Sequence, residues 1–156
     1  MLGVDLICVG KLQEPFWQAA VGEYEKRLGG LCRFRVVQLP EAKLPAAPSP
    51  AQVVAALEKE GKAILPRLRG AAYPLCIEGK RLDSPGLARL LGDAMQAPGS
   101  VSFVIGSSHG LAPAVKAAGT GISMSPMTFP HQLARVMLCE QIYRGLLILR
   151  GSPYHK

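Results

Sequence analysis

The feature that most restricts the fold is a regular alternation. Short apolar runs recur along the chain, and each is followed by a stretch with helical spacing. Residues 2–9 (LGVDLICV) predict a first strand ended by Gly10. Residues 14–28 predict a helix in which Phe16, Ala19, Ala20 and Tyr24 share the apolar face and Glu23 pairs with Arg27 one turn on. Gly29-Gly30 suits a left-handed helix stop, and residues 33–39 predict a second strand with one face near solvent. Residues 40–50 carry Pro40, Pro45, Pro48 and Pro50 and are expected to form a loop, because proline fixes φ and removes a donor. A helix over 51–68, a strand over 71–77, a helix capped by Asp83 or Ser84 and running to about Met95, and a strand over 101–105 follow. A short helix over 112–118, a brief strand over 122–124 and a long helix over 131–149 complete the series. An α/β fold with a mainly parallel sheet is the most economical way to satisfy this alternation, and the 156 residues fit one domain over 1–156.

Several function classes are disfavoured. No apolar run reaches the length of a membrane span, and the N-terminus lacks a basic flank and carries Asp5, so a soluble cytoplasmic protein with no membrane partner is expected. Cys8, Cys32, Cys76 and Cys139 stand far apart with no CxxC pair and no histidine at ligand spacing. Buried free thiols are therefore expected, not a metal site or disulfides. The net charge of +7 suits solubility as readily as a polyanionic partner.

The last third of the chain holds all three histidines, and Glu140 is its only carboxylate. The turn after the fourth strand, Gly106-Ser107-Ser108-His109-Gly110, fits a plain strand-to-helix turn and a ligand loop equally well. It is neither a dinucleotide fingerprint nor a phosphate loop. Ligands of open α/β sheets lie beyond the carboxyl ends of the strands, so the ends near Leu75, Gly106 and Met124 are expected to converge on one pocket. The C-terminal helix is apolar nearly all round and needs cover on both faces, which predicts its own sheet on one side and a second subunit on the other. On it, Glu140 and Arg144 stand one turn apart, with Arg135 and Tyr143 on neighbouring stripes. The pair fits a structural ion bridge as well as a catalytic one. The tail sets the ring of Tyr154, the imidazole of His155 and the cation of Lys156 side by side, which suits an enzyme acting on a nucleobase.

With these residues in view, the chain resembles the ribosomal large subunit methyltransferase H family, the smallest of the SPOUT (α/β-knot) methyltransferases. The resemblance covers essentially the full length. It rests on Val9-Gly10-Lys11, Glu23-Tyr24 and Lys26-Arg27-Leu28, on residues 75–79 with Asp83-Ser84-Pro85, and on Phe103-Val104-Ile105-Gly106 with Gly110-Leu111. It continues through Thr128-Phe129-Pro130-His131 with Leu133 and Arg135, Glu140-Gln141-Ile142-Tyr143-Arg144 and Pro153-Tyr154-His155. The resemblance implies a homodimer with a C-terminal trefoil knot that binds S-adenosylmethionine, uses no metal, and methylates N3 of a pseudouridine in 23S ribosomal RNA of the ribosome. It also implies the site. Leu75, Gly106, Met124, Ser125, Pro126, Met127, Thr128 and Phe129 are the expected cofactor positions; Glu140, Tyr143, Arg144, Tyr154 and His155, with Arg135 in support, are the expected catalytic and RNA-facing ones. The chain departs from the family in the Gly106 turn, where Ser107, Ser108 and His109 stand in place of the usual second glycine, proline and acid, and it ends at Lys156 without a longer basic tail. Two alternatives stay open: a SPOUT enzyme for another RNA base, and a cofactor-binding or ribosome-assembly protein without catalysis.

The implied chemistry needs a base. N3 of a uracil ring is an imide N–H, so its proton must leave and the flanking carbonyls must be stabilised. His155 is the expected base, with Arg144 or Arg135 as the cation. Because His155 lies on the terminal segment, it is expected to be ordered only when RNA or cofactor binds.

Overall fold

The computed structural model describes residues 1–156. Five strands, β1 (Gly3–Val9), β2 (Arg33–Leu39), β3 (Ala71–Arg81), β4 (Ser100–Ile105) and β5 (Ile122–Ser123), form one sheet in the order β2-β1-β4-β3-β5. Every neighbouring pair is parallel. Five helices connect or follow them: α1 (Pro15–Leu28), α2 (Pro50–Ile64), α3 (Ser84–Gln96), α4 (Pro113–Ala117) and α5 (His131–Leu149).

Strand β1 is buried along its whole length because helices cover both faces of the sheet. Leu2, just before it, and its residues Val4, Leu6 and Cys8 point to one side, where they meet Val21 and Leu28 of α1, Leu87 and Leu91 of α3, and Leu138, Cys139, Ile142 and Leu146 of α5. Ile7 and Val9 point to the other side and meet Ile64 of α2 and Val115 of α4. Asp5 shares that second face and is 1% exposed. It accepts two hydrogen bonds from Arg35 (3.1 and 2.9 Å) and two from Arg69 (2.6 and 2.8 Å), so its charge is fully partnered. The two guanidiniums hold its carboxyl below the usual carboxylate range, against the opposing effect of burial.

Helix starts follow local chemistry. Asp83 caps α3 by accepting from the Gly86 amide at 2.7 Å. Ser49 and Gln52 form a reciprocal capping box at α2, which fixes where the proline-rich loop ends.

Three expectations are corrected. Gly29 is right-handed helical, so the stop after α1 uses no left-handed glycine; Leu31 and Cys32 instead donate to Leu28 in a tight turn. Phe16 is 62% exposed, and the buried face of α1 is built from Val21 and Leu28, because α5 approaches α1 from that side. Strand β3 continues past Ile77 to Arg81, since Lys80 and Leu82 find partners in Gly121 and Ser123 of the β5 segment. Its register slips there, with Leu75 and Lys80 both opposite Ile122, and the residues between bulge outward.

Candidate functional site

The carboxyl ends of β3, β4 and β5 enclose a cavity of about 760 Å³. Leu75, Cys76, Ile77 and Glu78 come from β3, residues 105–111 from the end of β4 and its turn, and Ile122, Ser123, Met124, Ser125, Met127, Thr128 and Phe129 from β5 and the segment after it. His131 and Ala134, in the first turn of α5, close one end. Of the expected cofactor positions, only Pro126 is absent from the wall.

Local backbone chemistry shapes this cavity. Gly106 is packed so closely that an added Cβ would run into the Gly110 carbonyl and the Leu111 side chain. Gly110 sits at φ +92°, where glycine carries no steric penalty, and its amide closes the turn onto Ser107. Ser123 Oγ donates to the Ser125 carbonyl (2.9 Å), and Ser125 Oγ accepts from the Met127 amide (3.0 Å), fixing the path of the segment after β5.

Sequence reasoning missed several of the residues that hold the cavity. Ser107 Oγ donates to Glu60 of α2 at 3.1 Å, and Glu60, 5% exposed, also accepts from the Ala42 amide. Glu60 thus joins the glycine turn to the proline-rich loop. In the sequence it reads as one more charge on the solvated side of α2, and only the tertiary approach of the turn reveals otherwise. At the rim, Lys116 and Glu78 form an ion pair at 2.5 Å across α4 and β3. His131 Nδ1 is buried in the wall without a partner. Burial, with Arg135 adding to it, lowers the His131 pKa while Glu41 opposes, so the ring is neutral near pH 7.

The tail residues form a second group on the flank of α5. Gly151 (φ +69°) ends the helix, with its amide bonded to Ile148 and that of Ser152 to Leu147, and this left-handed stop turns the chain back along α5. Tyr154 then donates to Glu140 Oε1 at 3.1 Å, and Arg144 binds the same oxygen at 2.7 Å. Tyr154 meets Tyr143 edge-on at 5.2 Å, and the Arg144 guanidinium lies 4.8 Å from its ring centre. Arg144 Nη1 lies 3.3 Å from His155 Nδ1; a guanidinium only donates, so Nδ1 accepts. Glu140 is braced from behind by Gln141, itself bonded to Ser84 at the start of α3. The tail is docked against α5, because the glycine turn delivers it to a prepared ion pair.

These groups titrate in ways that separate their roles. Burial and the Glu140 carboxylate push the Tyr154 phenol above its ordinary value, so it keeps its proton. The hydrogen bond to Glu140 pushes Arg144 further up and keeps it a cation.

Arg135 belongs to neither group. It is 2% exposed and donates to Gln38 Oε1 (2.9 Å) and the Gly10 carbonyl (3.1 Å) at the ends of β2 and β1. Nor does the chain bring the tail to its own cavity. An α-helix rises about 1.5 Å per residue, which puts Glu140 roughly 14 Å and Arg144 roughly 20 Å along α5 from His131.

A parallel sheet covered on both faces, with an apolar, glycine-walled cavity at its carboxyl ends, defines an α/β enzyme that binds its ligand beyond the strands. Solved structures with the same fold include proteins described as methyltransferases. The tRNA (m1G37) methyltransferase from Aquifex aeolicus superposes with a TM-score of 0.57 at 12% identity, over 99% of this chain and 75% of that one. A probable methyltransferase from Bordetella pertussis Tohama I gives 0.55 at 18% identity, over 92% and 94%. The chain belongs to the SPOUT methyltransferase family, whose model, described as "Predicted SPOUT methyltransferase", matches residues 2–155. Curated relatives include the "Ribosomal RNA large subunit methyltransferase H" of Ligilactobacillus salivarius (strain UCC118), 44% identical over 99% of this chain and 100% of that protein. The protein of the same name from Limosilactobacillus reuteri (strain DSM 20016) is 42% identical over the same shares.

Proposed function

We propose that this methyltransferase moves the methyl group of S-adenosylmethionine to N3 of a pseudouridine in 23S ribosomal RNA. It works as a cytoplasmic homodimer on the ribosome, with its C-terminal part threaded as a trefoil knot. The observation that carries this reading is the convergence of Leu75, Gly106, Met124, Ser125, Met127, Thr128 and Phe129 on one cavity. Relatives named as ribosomal RNA methyltransferases over their full length support the choice of substrate.

The cavity fits the donor. Its wall is largely apolar and suits an adenine ring and a thioether carbon chain, while the unpartnered His131 Nδ1 awaits a polar group. Leu75, Gly106 and the segment from Met124 to Phe129 would hold it, and when bound it supplies an electrophilic methyl group on a sulfonium. The chain's own residues do the rest. The half-buried apolar side chains of the wall, Leu75, Met124 and Phe129, exclude water from the reacting atoms. His155 takes the N3 proton once RNA displaces Arg144 from Nδ1, and Tyr154, which keeps its proton and its bond to Glu140, fixes the tail beside it. Arg144 stabilises the charge that develops on the flanking carbonyls, while Glu140 and Tyr143 hold Arg144 and Tyr154 in place.

The length of α5 favours a dimer. Because a chain's own tail lies far along the helix from its cavity, the tail of a second copy closes each site. A two-fold axis makes two such sites at once. The surface for that copy is available: Phe16 and Leu149 are exposed apolar side chains, and Leu133, Val136, Met137, Leu147 and Ile148 form a half-buried outer stripe on α5.

The test is mass mapping of 23S ribosomal RNA after ribosomes lacking the modification are incubated with the protein and S-adenosylmethionine. The expected result is one added methyl on a single pseudouridine. Calorimetric binding of S-adenosylmethionine with no methyl reaching the RNA contradicts the reading.

A further inference from the structure

Three buried side-chain polar atoms lack a partner: Glu14 Oε2, His131 Nδ1 and Arg135 Nε. Two of them stand one turn apart near the start of α5. Arg135 is the larger anomaly, being the bulkiest fully buried side chain of the protein and belonging to none of its five ion pairs. Its hydrogen bonds go to neutral groups, Gln38 and the Gly10 carbonyl. A guanidinium taken out of water without a counter-ion is unfavourable, and buried charges are ordinarily paired. A negatively charged group from outside the chain would complete the pair.

The space for it is a second cavity, of about 400 Å³, at the ends of β1 and β2 and against α1. Arg135, Lys11, Gln18, Gln38 and Glu25 supply its polar wall. Lys11 is exposed and enters no ion pair, and Gln18 donates to the Leu12 carbonyl at 2.7 Å, pinning the loop that carries Lys11. Glu25 is the one acid; it pairs with neither cation, so the wall has two positive charges against one negative. Amide and cationic donors around a net single positive charge suit a singly charged phosphodiester. Ala134 lines the first cavity and Arg135 the second, so the first turns of α5 separate the two.

We infer that this second cavity binds a phosphate of the RNA backbone, with Arg135 as its buried donor and Lys11 at its rim. The assignment rests on the RNA-methylation reading above and gives that substrate a second point of attachment. Phosphate contacts set register and orientation without reading sequence. The site therefore fixes where the RNA strand crosses the start of α5.

The experiment measures methyl transfer to ribosomes lacking the modification, at several salt concentrations, for Lys11→Gln, Arg135→Gln and Arg135→Lys, with S-adenosylmethionine affinity followed by calorimetry. Lys11→Gln is expected to raise the KM for ribosomes about fivefold or more and to flatten its logarithmic salt dependence by about one unit, as for one lost phosphate contact. Affinity for S-adenosylmethionine should stay unchanged. Arg135→Gln should act in the same direction and more strongly, with Arg135→Lys intermediate. Lys11 lies on the exposed rim, so its variant decides the matter even where Arg135→Gln does not fold. Wild-type transfer with Lys11→Gln unchanged in KM and salt slope overturns the phosphate site alone, as does an Arg135→Lys variant that weakens S-adenosylmethionine binding instead. Wild-type protein that transfers no methyl to these ribosomes overturns the reading beneath it.

Discussion

Replacing Gly106 with alanine puts a methyl group where the glycine turn has no room. The new Cβ would lie 2.7 Å from the Gly110 carbonyl carbon and 2.9 Å from Leu111 Cδ2. Unstrained carbon contacts lie near 3.5 Å, so the two ends of the turn must part by roughly 0.8 Å. Both ends are constrained. Gly106 follows directly on β4, and Leu111 is packed among Ile7, Val104 and Val115. Overpacking of this kind costs about 2 kcal/mol, which in a chain of this length lowers Tm by roughly 6 °C. The turn is also a wall of the larger cavity, so a shift of that size removes the close approach on which ligand contact depends. If half of the strain is relieved only when the ligand is absent, affinity for S-adenosylmethionine falls about fivefold, and full coupling gives about thirtyfold. Differential scanning calorimetry and titration calorimetry read the two effects separately. An alanine variant whose Tm lies within about 1 °C of wild type and whose affinity lies within about a factor of two refutes the reasoning.

Other substitutions and conditions follow from the same contacts. Asp5→Asn leaves two guanidiniums facing an amide in a buried position and should destabilise by about 3 kcal/mol in chemical denaturation, less than full burial implies because Arg35 and Arg69 are themselves half exposed. Because the folded carboxyl titrates lower than the unfolded one, the Asp5 contribution is fully present above about pH 4 and is lost as pH falls through the folded value. The gap in stability between wild type and Asp5→Asn should therefore narrow in acid. Burial pushes the Cys8 and Cys139 thiols up to about 12 and leaves them inert to iodoacetamide in the native protein. Cys76, less buried and on the cavity wall, should be the first thiol alkylated at alkaline pH, and saturating S-adenosylmethionine should slow that labelling by mass spectrometry. Tyr154→Phe keeps the ring packed against Tyr143 and Arg144 but loses the bond to Glu140, and should lower kcat roughly tenfold while leaving S-adenosylmethionine affinity unchanged.

Much of the fold was legible because alternation is a local property. The apolar run of β1, the capping Asp83 and the proline-rich loop each announce themselves within a few residues. The cavity was legible for the same reason, since Gly106 and Met124 each follow a recognisable strand and Leu75 lies in an apolar run, just where β3 parts from β4. What was not legible depends on distant approach. Phe16 lies at one edge of an apolar-looking stripe of α1, yet α5 arrives nearer Val21, Tyr24 and Leu28; nothing within residues 14–28 encodes that angle of approach. Glu60 reads as a surface charge until the Gly106 turn descends on it. The docking of His155 hinges on Gly151, a single glycine whose left-handed conformation decides whether the tail frays or folds back. Arg135 reads in the sequence as one of the few cations on a nearly all-apolar helix, and only the closure of β1, β2 and α5 around it turns it into a buried charge without a counter-ion.

A mixing assay bears most directly on how the working site is put together. With S-adenosylmethionine held well below the weakened affinity of the variant, Gly106→Ala leaves the cavity of its own chain largely empty, and His155→Ala disables the tail. Each variant alone should methylate ribosomal RNA poorly. If each cavity works with its neighbour's tail, refolding the two variants together in equal amounts makes half the dimers mixed, each with one intact site, and activity returns to about a quarter of wild type. If the tail serves its own chain, no mixed dimer holds an intact site, and a mixture as inactive as its parts would contradict the shared-site assembly.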